Sequence, residues 1–399
     1  MASEFAKFWT LDPGIVFLNH GSFGACPRAV LDAQSELRAR MERQPLQFLA
    51  RDLEGLLDEA RAALAEFVGA GADDLAFVPN ATAGVNTVVR SLQFEAGDEL
   101  LTTNHAYNAC ANALRIHEPR GVKVVVAQVP WPLHGSQEVV EAVMAAVTPR
   151  TRLVLLDHIT SPTGLVFPVQ EMVRRLNDRG IDTLVDGAHA PGMLPLNLRE
   201  LGAAYYTGNC HKWMCTPKGS ALLHVRRDKQ ASIRPLGISH GANAQRSDRS
   251  RFRLEFDWGG TNDPTPYLCI PAALKFFAEL IPGGFPEVMK RNHALAVKGR
   301  KILCDALDLS EPAPEDMLGS LAAVPLPQGG PTGAAGHGNW HPLQKTLYEK
   351  HRIEVPIMVF PAAPHKLVRI AAQLYNDESQ VAALASALKH ELHPRRVSG

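Results

Sequence analysis

Three short polar stretches carry residue types that could do chemistry. Asn80-Ala81-Thr82 follows an apolar run and opens a helical pattern. Backbone amides and a hydroxyl at a helix start suit a phosphate, and suit an ordinary helix cap equally well. Asp186 closes the run Thr183-Leu-Val-Asp and precedes Gly187-Ala188-His189. An acid there either caps the next turn or faces a cation in a cleft. Asn209-Cys210-His211-Lys212-Trp213 follows Tyr205-Tyr206-Thr207. Its lysine becomes a nucleophile if its surroundings lower its pKa, although most lysines are solvated surface residues. Taken together, a phosphate-binding turn, an acid and a His-Lys pair match what pyridoxal phosphate requires. That cofactor needs a lysine amine, an acid on its pyridinium nitrogen and a helix N-terminus for its phosphate. Cys210 and Cys215 lack a second pair to complete a zinc site, so no metal is expected.

The elements that must position these residues alternate. Strand patterns at residues 74–79, 99–103, 123–127, 152–157, 182–186, 204–207 and 221–225 are separated by helical patterns at 85–92, 108–117, 137–147, 169–179 and 198–201. Such alternation predicts an α/β fold with a mostly parallel sheet covered on both faces. Ligands of such sheets gather at the carboxyl ends of the strands, where the three polar stretches fall. Residues 27–67 read as helices divided at Pro45. Helices follow at 271–280 and 285–309, then a glycine-rich loop at 329–338 and strand and helix patterns to residue 392. The expected division is an N-terminal segment (1–30) joining the small domain, a large domain (31–275) and a small α+β C-terminal domain (276–399).

Composition narrows the function. The 399 residues carry 41 Lys+Arg and 41 Asp+Glu, so the net charge is zero. That disfavours nucleic acid as a partner, because binding it needs a cationic excess. No apolar run approaches membrane-spanning length and no signal peptide is evident, so a cytoplasmic protein without a membrane partner is expected. The six scattered cysteines read as reduced thiols.

The chain resembles the class V aminotransferase superfamily of fold-type I PLP-dependent transferases, and within it the isopenicillin N epimerase-like branch. The resemblance rests on Leu18-Asn-His-Gly-Ser-Phe-Gly, Phe77-Val-Pro-Asn-Ala-Thr, Val185-Asp-Gly-Ala-His, Tyr206-Thr-Gly-Asn-Cys-His-Lys-Trp, Trp258-Gly-Gly-Thr-Asn-Asp-Pro and Val368-Arg-Ile-Ala-Ala-Gln-Leu-Tyr-Asn. It implies a seven-stranded, mostly parallel sheet, pyridoxal 5'-phosphate as cofactor and an amino-acid substrate. Lys212 would bond the cofactor and move the substrate α-proton, and Asp186 would pair with the pyridine nitrogen. His189 would lie near the phenolic oxygen. Ala81, Thr82, Asn209 and His211 would hold the phosphate, and Ser161 would lie beside the ring. His105 or Tyr107 would stack on the ring, with Tyr107 favoured. Gly260 and Thr261 would reach the neighbouring site of a homodimer. Arg369 would take the α-carboxylate, with Asn19 and His20 on the substrate side.

All readings begin with removal of the α-proton. Return of a proton on the other face gives epimerisation and needs a second acid, for which His20, His158, His240 and Tyr107 are candidates. Loss of a β-substituent gives a C–S lyase, and protonation at the cofactor carbon gives an aminotransferase. Epimerase-like chemistry is placed first, the lyase second. The stretch 355–366 contains no cysteine, which argues against persulfide transfer.

Overall fold

The computed structural model describes residues 3–328 and 341–392; the glycine-rich loop expected at 329–338 lies outside them. Seven strands form the central sheet: β1 (Leu75–Val78), β2 (Glu99–Thr103), β3 (Lys123–Ala127), β4 (Thr151–Asp157), β5 (Asp182–Asp186), β6 (Tyr205–Asn209) and β7 (Ala221–Val225). Their order is β1-β7-β6-β5-β4-β2-β3. Only β7 runs against its neighbours β1 and β6, and the other pairs are parallel. The apolar run Leu153-Val-Leu-Leu of β4 is buried, as expected for a strand covered by helices on both faces. The covering helix Val169–Asn177 turns Val169, Met172, Val173 and Leu176 inward at three- and four-residue intervals.

Helix Ala81–Ser91 begins at Ala81, four residues earlier than the apolar periodicity indicates. Asn80 caps it by accepting the Ala83 amide at 2.8 Å. The polar stretch after β1 therefore belongs to the first helical turn. With Asn80 after β1, Asp157 ending β4, Asp186 ending β5 and Asn209 ending β6, residues distant in sequence meet at one edge of the sheet.

A second sheet contains β8 (Leu321–Leu326), β9 (Ile357–Val359) and β10 (Lys366–Ala371), in the antiparallel order β9-β10-β8. Its strand β8 does not stand out in the sequence, because Leu-Ala-Ala-Val-Pro-Leu contains a proline that argues against a ladder. It is an edge strand, where proline is tolerated. The N-terminal segment joins this part of the molecule: Val16–Phe17 pairs with Ile353–Glu354, and Asn19 bridges to Ala371. No single described helix is long and apolar enough to cross a membrane.

Helix Leu53–Val68 is tied to helix Arg251–Phe256 through a buried arginine. The Arg61 side chain is 1% exposed, pairs with Asp58 at 3.1 Å and with Asp257, and lies 5.1 Å from the Phe77 ring centre. Arg61→Met should cost about 2–3 kcal/mol, less than stranding a lone buried charge, because Arg253 still reaches Asp257 at 3.2 Å. A lowered denaturant midpoint with unchanged cofactor binding would show it.

Candidate active site

A cavity of about 620 Å³ opens at the carboxyl edge of the central sheet. Asp157 and Asp186, register partners on β4 and β5, form its floor, each 3% exposed. One Asp186 oxygen accepts the Ala188 amide at 2.9 Å, and the other accepts the Cys110 thiol at 3.0 Å. Burial and the adjacent Asp186 raise the Asp157 pKa well above the usual carboxylate range. The Asp157 carboxyl thus holds its proton more readily than an ordinary aspartate does.

Lys212 enters from the loop after β6. Burial, reinforced by the Arg369 charge and opposed by Asp186, lowers its pKa to about 8. At pH 7 roughly a tenth of the amine is unprotonated, against less than about 0.1% for an ordinary lysine. Its Nζ lies 3.3 Å from His189 Nε2, and His189 Nδ1 receives the Trp213 indole N–H at 3.3 Å. Burial, with Lys212 and Arg369 nearby, pushes His189 well below its ordinary pKa, so the ring is neutral.

The loop carrying Lys212 is clamped from behind. His20 Nε2 donates to the Lys212 carbonyl at 2.9 Å, and its Nδ1 accepts from the Tyr375 hydroxyl at 2.8 Å. Burial lowers the His20 pKa to about 3. Gly24, at φ +71°, lies so close that a Cβ there would stand 2.1 Å from the His211 carbonyl oxygen.

At one end of the cavity, Thr82, His211 and Lys218 surround the start of helix Ala81–Ser91. The Ala81 amide, expected to hold phosphate, instead donates to Asn209 Oδ1 at 2.8 Å, and the Ala83 and Gly84 amides are taken by Asn80. Among the described residues no hydrogen bond uses the Thr82 amide or hydroxyl, which leaves both for an anion. At the other end, fully buried Arg369 donates to the Ser161 carbonyl and, at 3.5 Å, to Ser22 Oγ. Its Nε has no partner. Burial lowers its pKa to about 10, leaving it charged at pH 7. A buried guanidinium with an unused donor suits a carboxylate.

The cavity thus gathers Ala81, Thr82, Tyr107, Ser161, Asp186, His189, Asn209, His211, Lys212 and Arg369. Other expected residues lie elsewhere. His105 is fully buried outside the cavity, bonded to Thr163 at 2.8 Å and ringed by Trp131, Phe167 and Phe360. The turn after β2 sends it inward and presents Tyr107 instead. Asn19 bonds Glu354 and Ser22, and His20 holds the Lys212 backbone, so neither lines the cavity. The single helical turn His20–Phe23 directs Gly21, Ser22 and Phe23 there instead. Gly260 borders a separate cavity with Trp258 and Tyr267, and Thr261 is exposed. Of the other candidate acids, His158 bonds Tyr206 at 3.0 Å outside the cavity, and His240 is exposed.

The donor set fits pyridoxal phosphate: an amine with lowered pKa, an acid on a buried floor, unused donors at a helix start and an exposed aromatic ring at Tyr107. Sequence reasoning missed Asp157 on the floor and Lys218 and Met358 on the walls. Asp157 alone had a signal, as the last residue of a strand at the ligand-binding edge.

The aminotransferase class-V family profile matches residues 16–384. The isopenicillin N epimerase of Amycolatopsis lactamdurans is 38% identical over 397 residues, covering 95% of this chain and 96% of the relative. A probable chloroplastic L-cysteine desulfhydrase of Arabidopsis thaliana is 29% identical, covering 97% of this chain and 84% of the relative. The apo cysteine desulfurase of Thermococcus onnurineus NA1 shares the fold at a TM-score of 0.79 and 19% identity, covering 98% of each chain. The chain belongs to the class V aminotransferase family and is a pyridoxal-phosphate enzyme.

Proposed function

We propose that this enzyme inverts the α-carbon of an amino acid, as an epimerase or racemase. The observation that carries this reading is one cavity holding a carboxylate-binding guanidinium, an amine with lowered pKa and a separate phenol, those of Arg369, Lys212 and Tyr107. Bound there, pyridoxal phosphate supplies the electron sink that makes an α-proton removable. Arg369 anchors the substrate carboxylate, which fixes the α-carbon relative to Lys212. Lys212 takes the α-proton through Nζ. Tyr107 holds the phenolic proton that can be returned from elsewhere in the cavity. Asp186 provides the floor carboxylate that pairs with the pyridine nitrogen, and Thr82, His211 and Lys218 hold the phosphate. In a homodimer, the neighbouring chain would bring Gly260 and Thr261 to this end. The 38% identity to an isopenicillin N epimerase supports the same reading.

C–S lysis is the second reading, favoured by the desulfhydrase relative and by elimination needing only one base. A cysteine persulfide relay is disfavoured: all six cysteines are buried and none lines the cavity, and Met358 occupies the wall in the cysteine-free stretch. Incubation of the loaded enzyme with L-amino acids, L-cysteine and S-substituted cysteines in heavy water separates the two. A D-product with α-deuterium and no pyruvate supports epimerisation. Pyruvate with a sulfur product replaces it with the lyase.

A further inference from the structure

His189 stands between two groups that both donate hydrogen bonds. The Trp213 indole N–H meets Nδ1 at 3.3 Å, and an indole nitrogen can only donate. Nδ1 must therefore offer its lone pair, which puts the single proton of the neutral ring on Nε2. Nε2 lies 3.3 Å from Lys212 Nζ. An ammonium also only donates, so an N–H of His189 facing an ammonium of Lys212 would be two donors opposed in a buried space. A free amine at Lys212 removes the conflict, because its lone pair accepts the Nε2 proton.

We propose that Trp213 is a positioning residue for the catalytic lysine: it sets the His189 tautomer so that the ring presents an N–H, not a lone pair, to the Lys212 amine. Trp213 is fully buried and its indole is ordered by packing, with the His20 ring centre 4.9 Å away, so its N–H direction is fixed. The other groups around the pair do not supply this selection. Arg369 disfavours charge on Lys212, and Asp186 and Cys110 favour it, all through space. His20 is neutral and committed to the Lys212 carbonyl and Tyr375. With phenylalanine at position 213, Nδ1 is free to carry the proton, and Nε2 can then accept from an ammonium. The inference rests on the cofactor lysine and not on which reaction follows.

Two readouts test it. Nitrogen-15 spectra of the holoenzyme, with His189 assigned by comparison with His189→Gln, should show a protonated Nε2 and an unprotonated Nδ1. In Trp213→Phe, part of the proton should move to Nδ1. The second readout is reductive alkylation of Lys212 by a small aldehyde in the full-length protein freed of cofactor, followed against pH. The labelling midpoint should rise by about one pH unit in Trp213→Phe, a roughly tenfold slower reaction at pH 7. A wild-type Nδ1–H tautomer overturns the proposal without any substitution. An unchanged midpoint in the folded variant overturns it as well.

Discussion

Lys212→Ala should lower α-proton exchange by about four orders of magnitude, the combined loss of a covalent anchor and of a positioned base. The absorbance band near roughly 420 nm, characteristic of this cofactor bonded to lysine, should vanish with it. The fold should survive. Lys212 has no carboxylate partner within ion-pair distance among the described residues, so truncation strands no charge, and the backbone carbonyl that His20 holds is retained. Deuterium exchange at the substrate α-carbon, measured beside circular dichroism, checks both halves. A folded alanine variant that still shows the band would remove Lys212 from the centre of the site.

Tyr107→Phe should separate the first proton transfer from the second. The tyrosine is 47% exposed in the single chain and lines the cavity, and phenylalanine keeps its ring while deleting the hydroxyl. Formation of the D-product should fall by about 10²–10⁴-fold, the usual contribution of a positioned acid. Exchange of the L-substrate α-proton with solvent should persist, because Lys212 carries it. Chiral chromatography beside mass spectrometry gives both rates from one reaction. An undiminished D-product would take the second proton away from Tyr107. Unchanged pyruvate formation in this variant would instead be the behaviour of a lyase that needs one base.

The sequence exposed the site where chemistry and topology coincide. Asp186 and Lys212 were legible because a strand end in a parallel sheet points its polar residue at the ligand edge, whatever the loops do. Arg369 was legible only through resemblance, since nothing about Val-Arg-Ile distinguishes a buried guanidinium from an ordinary strand arginine. His105 and His20 were misplaced for a shared reason. Each lies within two residues of a cavity residue, and a turn over so short a span can send a side chain away from the cavity. Asp157 escaped notice because a lone acid has no signature until β5 puts Asp186 beside it. Strand β8 was hidden by Pro325, which an edge position tolerates. The relation of Trp213 to His189 depends on three-dimensional direction alone.

The contacts behind Lys212 come from positions more than 150 residues away on either side of it in sequence. His20 grips its carbonyl, Tyr375 completes the histidine's hydrogen bonding, and Gly24 fills the space against His211. During synthesis the lysine loop emerges from the ribosome long before Tyr375 does, and in that interval its clamp lacks one jaw. Firm retention of the cofactor should therefore wait until Tyr375 has emerged and docked on His20. The yellow colour of the loaded protein should then report the docked clamp, and a chain ending between positions 370 and 374, or one beginning at position 21, should be pale although the residues lining the cavity are present.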